Sequence, residues 1–229
     1  MDIRVEQLLR CLAYLRGRLR VGATPVLEPF RIDPADIGSV NRAASRIARH
    51  AGLGRLLFIV TESAMADHVA GNIELRMGGT EVFVNISATA RRFGPTTLAL
   101  LAHETAHKAL FDVGVKPNPF FHQEYEVLTD VAAVYLGFGK LLLNGYEVVT
   151  VENMPGGQQR SRHRFGYVSV PEVAFAHAVT VSMRGLSMSE LTDGLSPFAA
   201  RALDTLYDDA SYLSHIARAD QLVPARDYV

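Results

Sequence analysis

Two histidines four residues apart, His103 and His107, constrain the fold of this chain more than any other feature. They lie in an apolar stretch that begins after Gly94-Pro95, and a proline at this point is typical of the start of a helix. Residues four apart on a helix are neighbours on one face. The spacing therefore predicts a helix that points both imidazoles to one side and has leucines and alanines available for packing.

The residue between them that matters most is Glu104, which completes the pattern H-E-x-x-H. Two histidines on one helix face can present ring nitrogens to a single metal ion. Glu104 lies about 100° around the helix from His103, which is near enough to reach a water on that ion without binding it. A lone histidine is more often a surface or core residue, but two at this spacing favour a metal site.

A third ligand is expected, because a catalytic zinc takes three protein ligands and leaves one position open. Glu126 lies nineteen residues after His107, beyond Asn118-Pro119, and this length lets a second helix return beside the first. Asp130 follows on the same face as Glu126. Glu124 is the competing ligand, but it lies about 200° away around the helix, so both glutamates cannot face one ion. Glu124 also lacks a carboxylate partner four residues on, which favours Glu126.

Residues 103–107 read H-E-x-x-H, and residues 126–130 read E-x-x-[Ser/Thr]-D. This pair of motifs resembles those of the gluzincin metallopeptidases, the thermolysin-like group. The resemblance covers roughly residues 82–145. It implies that His103, His107 and Glu126 bind zinc, and that Asp130 accepts a hydrogen bond from His103. The implied fold is α+β and zincin-like, with a small mixed sheet, two central metal-binding helices and additional N- and C-terminal helices.

The resemblance also implies an edge strand along the active-site cleft, where an extended peptide adds as another strand. Val82–Ile86 has the right position for that strand, and an ordinary core strand is the alternative.

We expect a single domain over residues 1–229, with an N-terminal helical part (1–55), a zincin core (56–145) and a C-terminal part (146–229). The patterns predict helices over 2–20, 33–50, 121–143, 171–183 and 197–218, strands over 56–60, 69–77, 81–86 and 147–151, and an exposed polar loop over 155–162.

The function predicted from these residues is peptide-bond hydrolysis by a zinc-activated water, with Glu104 as the general base. Thermolysin-like enzymes carry a further histidine that stabilises the developing oxyanion, and no histidine of this chain aligns with it. Tyr167 and His163 are the candidates here, with Arg164 behind them, although a solvated basic loop is the alternative for this segment. The alternative function is a zincin-fold regulatory or interaction protein whose metal site has restricted or no proteolytic activity.

Composition limits the partners and the compartment that we expect. The 229 residues carry a formal net charge of −1, so no net positive field recruits nucleic acid or an anionic membrane. The single cysteine, Cys11, fits a reducing compartment. The N-terminal segment lacks the basic-then-apolar layout of a signal peptide. We therefore expect a cytoplasmic protein that acts on a peptide or protein substrate.

Overall fold

The histidine-bearing segment forms one long helix, α4 (Gly94–Asp112), at the centre of the computed structural model. Every residue from Thr96 to Leu110 is buried. Small and apolar residues all round this helix allow neighbouring elements to pack on each of its sides. Helix α4 contacts α2 (Ile37–His50), α5 (His122–Ala133) and α6 (Gly139–Gly145), so its metal-binding face is held within the core.

Helices dominate the described chain, and the strands are short. The structure describes residues 3–20, 26–63, 70–76, 78–154 and 157–225; at 119, 149–154 and 159–163 it describes the backbone alone. No helix in these ranges combines the length and apolar character needed to cross a bilayer. The other elements are α1 (Val5–Arg18), β1 (Leu57–Glu62), β2 (Gly71–Ile73), β3 (Glu81–Ile86), α3 (Ala88–Arg91), β4 (Glu147–Met154), β5 (Gly157–Arg164), α7 (Val170–Met183), α8 (Met188–Thr192), α9 (Pro197–Tyr207) and α10 (Ala210–Ala217).

Three of the strands form a mixed sheet in the order β1–β3–β2, which confirms the α+β class and the small mixed sheet. Strand β1 runs parallel to β3, and β2 runs antiparallel to it. Of the two alternatives for Val82–Ile86, the core strand is confirmed and the edge strand is wrong. Its alternate residues Val82, Val84 and Ile86 are buried, and the strand is paired on both sides. Among the described residues, β2 forms the edge nearest the metal motif.

The second motif helix is shorter than predicted. Residues 121–143 were expected to form one helix, but α5 and α6 are separated by a π-helical turn at Val134–Phe138. Within that turn Gly137 has a φ of 97°, in the left-handed region that glycine adopts at little cost. Residue periodicity predicts both helices, whereas the break between them depends on this one backbone conformation.

Three other local predictions are also wrong. The helix predicted over 33–50 begins later, as α2, because the carboxylate of Asp36 caps it by accepting from two N–H groups of the first turn. The predicted loop at 155–162 is largely strand β5, whose polar residues lack the apolar alternation by which strands are recognised. The last predicted helix is two helices, because Asp209 caps a new one at α10.

The end of α6 packs closely against the start of α4. A Cβ added at Gly145 would lie 2.2 Å from the carbonyl oxygen of Pro95 and 2.6 Å from Cβ of Ala99. Real Cβ atoms do not approach backbone this closely, so only glycine allows the two helices to touch here. This contact also sets the position of Tyr146, the residue that follows α6.

We expect Gly145→Ala to lower the free energy of unfolding by about 1–3 kcal/mol, because the added methyl group overpacks a backbone contact. Chemical denaturation at constant pH measures this change. Gly79→Ala is the matched control, since a Cβ at that position has ordinary contact distances. Its effect should stay within about 0.5 kcal/mol. Equal stability of the two variants would contradict the close approach.

Candidate metal centre

Helices α4 and α5 bring three metal-binding side chains together. Nε2 of His103 and Nε2 of His107 are 3.0 Å apart, and each lies 3.2 Å from Oε2 of Glu126. All three residues are buried. One potential ligand atom from each lies within 4.8 Å of the others. His103, His107 and Glu126 therefore form a group that can hold a metal ion.

The hydrogen bonds behind the two imidazoles determine which nitrogens face this group. Nδ1 of His103 lies 2.7 Å from Oδ1 of Asp130, which accepts. Nδ1 of His107 lies 3.2 Å from the hydroxyl of Thr129, which itself donates to the carbonyl of Tyr125 and so accepts from the imidazole. With protons on both Nδ1 atoms, both Nε2 lone pairs point at the carboxylate of the cluster. These lone pairs and the negative carboxylate repel one another. A cation between the two nitrogens and the carboxylate would relieve that repulsion, so the three side chains fit a metal ion.

The electrostatics of the cluster also favour a positive charge at this point. Burial is the largest single effect on the pKa of His103 and lowers it. The hydrogen bond and charge of Asp130, together with the carboxylates of Glu126 and Glu104, outweigh burial and raise that pKa well above its ordinary value. Burial raises the pKa of Glu126. When protons rather than a metal ion occupy the two Nε2 atoms, the hydrogen bonds and charges of His103 and His107 hold that pKa well below its usual range. Protons and a metal ion therefore compete for the same atoms, and metal affinity depends on pH.

Glu104 lies between the two histidines in sequence and against the edge strand in space. Its side chain is buried, and a Cβ on Gly71 of β2 would lie 3.0 Å from its Oε1. Burial raises the pKa of Glu104, an effect that the nearby His103 and His107 partly offset. The missing side chain at Gly71 thus leaves room for the carboxylate beside the sheet edge.

Of the residues predicted to bind the oxyanion, Tyr167 lies at the site. Its ring stacks on that of His103 with the centroids 6.3 Å apart, and the residue is 43% exposed. The side chain of His163 lies outside the described residues, so its role stays a prediction. Arg164 is exposed at the end of β5. Glu124 is exposed on α5, while Glu126 faces the histidines, as the helical angle between the two glutamates predicts.

Three residues at the site carried no functional prediction. Thr129 orients His107, and the signal for it was present in the second motif, which has Ser or Thr at that position. His122 lies one helical turn before Glu126, with its Nδ1 3.6 Å from Oε1 of that carboxylate. Tyr146 donates a hydrogen bond to Asp130 from the end of another helix. No local spacing connects Tyr146 to the motifs, so only the fold reveals it.

No protein-family model, curated protein or solved structure matches this chain. The resemblance to gluzincins therefore rests on the residues from His103 to His107 and from Glu126 to Asp130. In the structure these two segments meet, and their potential ligand atoms lie 3.0–3.2 Å apart.

We expect Glu126→Ala to weaken the binding of a divalent metal by more than the roughly 10–100-fold that follows loss of an outer hydrogen-bond partner. The reason is that the variant loses a ligand and leaves two imidazoles without their carboxylate. Titration against a chelating indicator measures the affinity. Glu124→Ala, two residues earlier on the same helix, is the matched control and should bind as tightly as the wild type. If Glu124→Ala instead bound the metal more weakly than Glu126→Ala, Glu124 rather than Glu126 would be the ligand.

Proposed function

We propose that this protein is a zinc-dependent metallopeptidase of the gluzincin type, in which His103, His107 and Glu126 hold the ion. Two histidines and one glutamate are a known ligand set of catalytic zinc. The proposal is carried by one observation: these three side chains converge within the core next to the buried carboxylate of Glu104. When bound, zinc supplies Lewis-acid polarisation of a substrate carbonyl and a water nucleophile of lowered pKa.

Glu104 is the general base in this proposal. It is the residue next to His103 on α4, so its carboxylate is held close to the ligand nitrogens by the helix itself. A carboxylate so placed accepts the proton of the attacking water and then donates it to the nitrogen of the leaving amine. A structural metal site fills its ligand positions with protein and needs no base. The presence of Glu104 therefore supports a hydrolase over a structural site.

The edge strand β2 supports a peptide as the substrate. An extended peptide binds well to an exposed strand edge, because main-chain hydrogen bonds form regardless of side-chain identity. Gly71 of β2 lies directly beside Glu104, so a peptide paired with β2 would pass the base. This arrangement, an antiparallel edge strand beside the metal-binding helices, is also what supports a zincin-like fold.

Two described side chains near His103 are candidates to bind the carbonyl oxygen of the substrate as its negative charge develops. Tyr167 stacks over His103, and His122 lies edge-on to Tyr167 with ring centroids 6.2 Å apart. Both can donate a hydrogen bond, and such donors contribute several kcal/mol to the stabilisation of an oxyanion. We propose Tyr167 for this role, with His122 beside it, and His163 stays a candidate from the sequence.

The proposed partner is a peptide or protein substrate, and the proposed location is the cytoplasm. The location rests on cysteine usage: Cys11 is the single cysteine of the chain, so it cannot form a disulfide within the chain, and its side chain is buried. A chain of this kind does not depend on an oxidising compartment for its stability.

The proposed function predicts that Glu104→Gln keeps the fold and one zinc per chain but lowers turnover at least about 100-fold. Glutamine preserves the shape of the side chain and removes its ability to accept a proton, which typically contributes 10²–10⁴-fold. Elemental analysis measures the zinc. Quantitative mapping of new peptide N-termini in lysates that contain wild-type protein or the variant measures the cleavage.

Glu124→Gln is the matched control, since it removes one exposed negative charge from α5 and leaves the base intact. It should produce the same cleaved polypeptides as the wild type. Identical N-termini from the wild type and Glu104→Gln, with zinc bound in both, would instead support the regulatory or interaction function.

A further inference from the structure

The carboxylate of Asp130 is satisfied by four hydrogen-bond donors from three parts of the chain. Oδ1 accepts from Nδ1 of His103 at 2.7 Å and from the hydroxyl of Tyr146. Oδ2 accepts from the backbone N–H groups of Tyr167 at 2.7 Å and Val168 at 3.0 Å. Asp130 itself is completely buried. A buried carboxylate is stable only when its oxygens are paired in this way.

Tyr146 is held rigidly in the position from which it reaches Asp130. The residue is 1% exposed and follows directly after Gly145, whose contact with α4 fixes the end of α6. A Cβ on Gly166 would lie 2.2 Å from the Tyr146 ring, so this glycine, with a φ of +83°, packs flat against the ring. The carbonyl of Tyr146 also accepts from the N–H of Phe165 at 2.8 Å.

The shared oxygen makes Tyr146 relevant to the metal. Oδ1 of Asp130 must point at Nδ1 of His103 to keep the proton there and leave Nε2 free for an ion. The Tyr146 hydroxyl binds this same oxygen from α6, while the two N–H groups hold the other one. Together they prevent rotation of the carboxylate, and that in turn restrains the His103 ring.

We propose that Tyr146 is a positioning residue of the metal centre, which acts through Asp130 to fix the tautomer and orientation of His103. The inference rests on the metal-binding part of the proposed function. It adds an outer partner that lies outside both sequence motifs and that never touches the ion.

Tyr146→Phe tests the proposal, because it keeps the ring against Gly166 and removes only the hydroxyl. Chelator competition should show zinc binding weakened about 10-fold, the lower end of the range for outer partners. The Nδ1–H proton of His103 should also shift in the NMR spectrum of the zinc-bound protein. Tyr135→Phe is the matched control: Tyr135 is another buried tyrosine, and it contacts Arg184 rather than the metal centre. Its zinc affinity should equal that of the wild type.

A double-mutant cycle with Asp130→Asn separates positioning from general stability. If Tyr146 acts through Asp130, adding Tyr146→Phe to Asp130→Asn should change zinc affinity less than twofold. Additive losses in the double mutant would overturn the proposal, as would unchanged affinity and an unshifted His103 proton in Tyr146→Phe.

Should Tyr146→Phe not fold, 3-fluorotyrosine at position 146 keeps the ring and hydroxyl and must shift the same proton. A wild-type protein that binds no zinc would remove the proposed function as well.

Discussion

The buried carboxylate of Asp130 is the constraint on which the rest of the site depends. Removing such a group from water costs several kcal/mol unless every oxygen finds donors. Here the donors come from α4, from the end of α6 and from the segment before α7. These three elements must therefore pack together around Asp130. The same packing fixes the orientation of the His103 imidazole. The same hydrogen bonds therefore stabilise the fold and orient the His103 side chain.

The packing around α4 explains how polar ligands are accommodated in a core. Most of the surface of α4 consists of its own leucine, alanine and threonine side chains, and neighbouring elements pack against it. Glycine at 145 allows close contact with α6, and glycine at 71 leaves space for the Glu104 carboxylate. Ligands carried by rigid packed helices are held more accurately than ligands on loops. The site therefore combines buried ligand atoms with the more exposed side chains of His122 and Tyr167 beside them.

Much of the candidate site was predictable because its members share a helix. His103, Glu104 and His107 lie within five residues, and Glu126, Thr129 and Asp130 lie within five more, so helical geometry alone relates them. The preference for Glu126 over Glu124 followed from the same geometry. The two helices were predictable from periodicity and turn residues, whereas the α+β class and the small mixed sheet were expected from the resemblance to the gluzincins. Boundaries at Asp36, Gly137 and Asp209 were missed, because each depends on one local cap or backbone conformation.

The sequence by itself determined which side chains stand together on α4 and on α5, since the helical repeat is a local property. Only the tertiary structure decided how these faces meet. The hydrogen bond between His103 and Asp130 joins residues 27 positions apart in the sequence, and that between Tyr167 and Asp130 joins residues 37 positions apart. Contacts at such separations are set by how helices pack, and no repeat in the chain encodes them. For the same reason β3 is a central strand, β2 is the edge beside Glu104 among the described residues, and Tyr146 donates to Asp130.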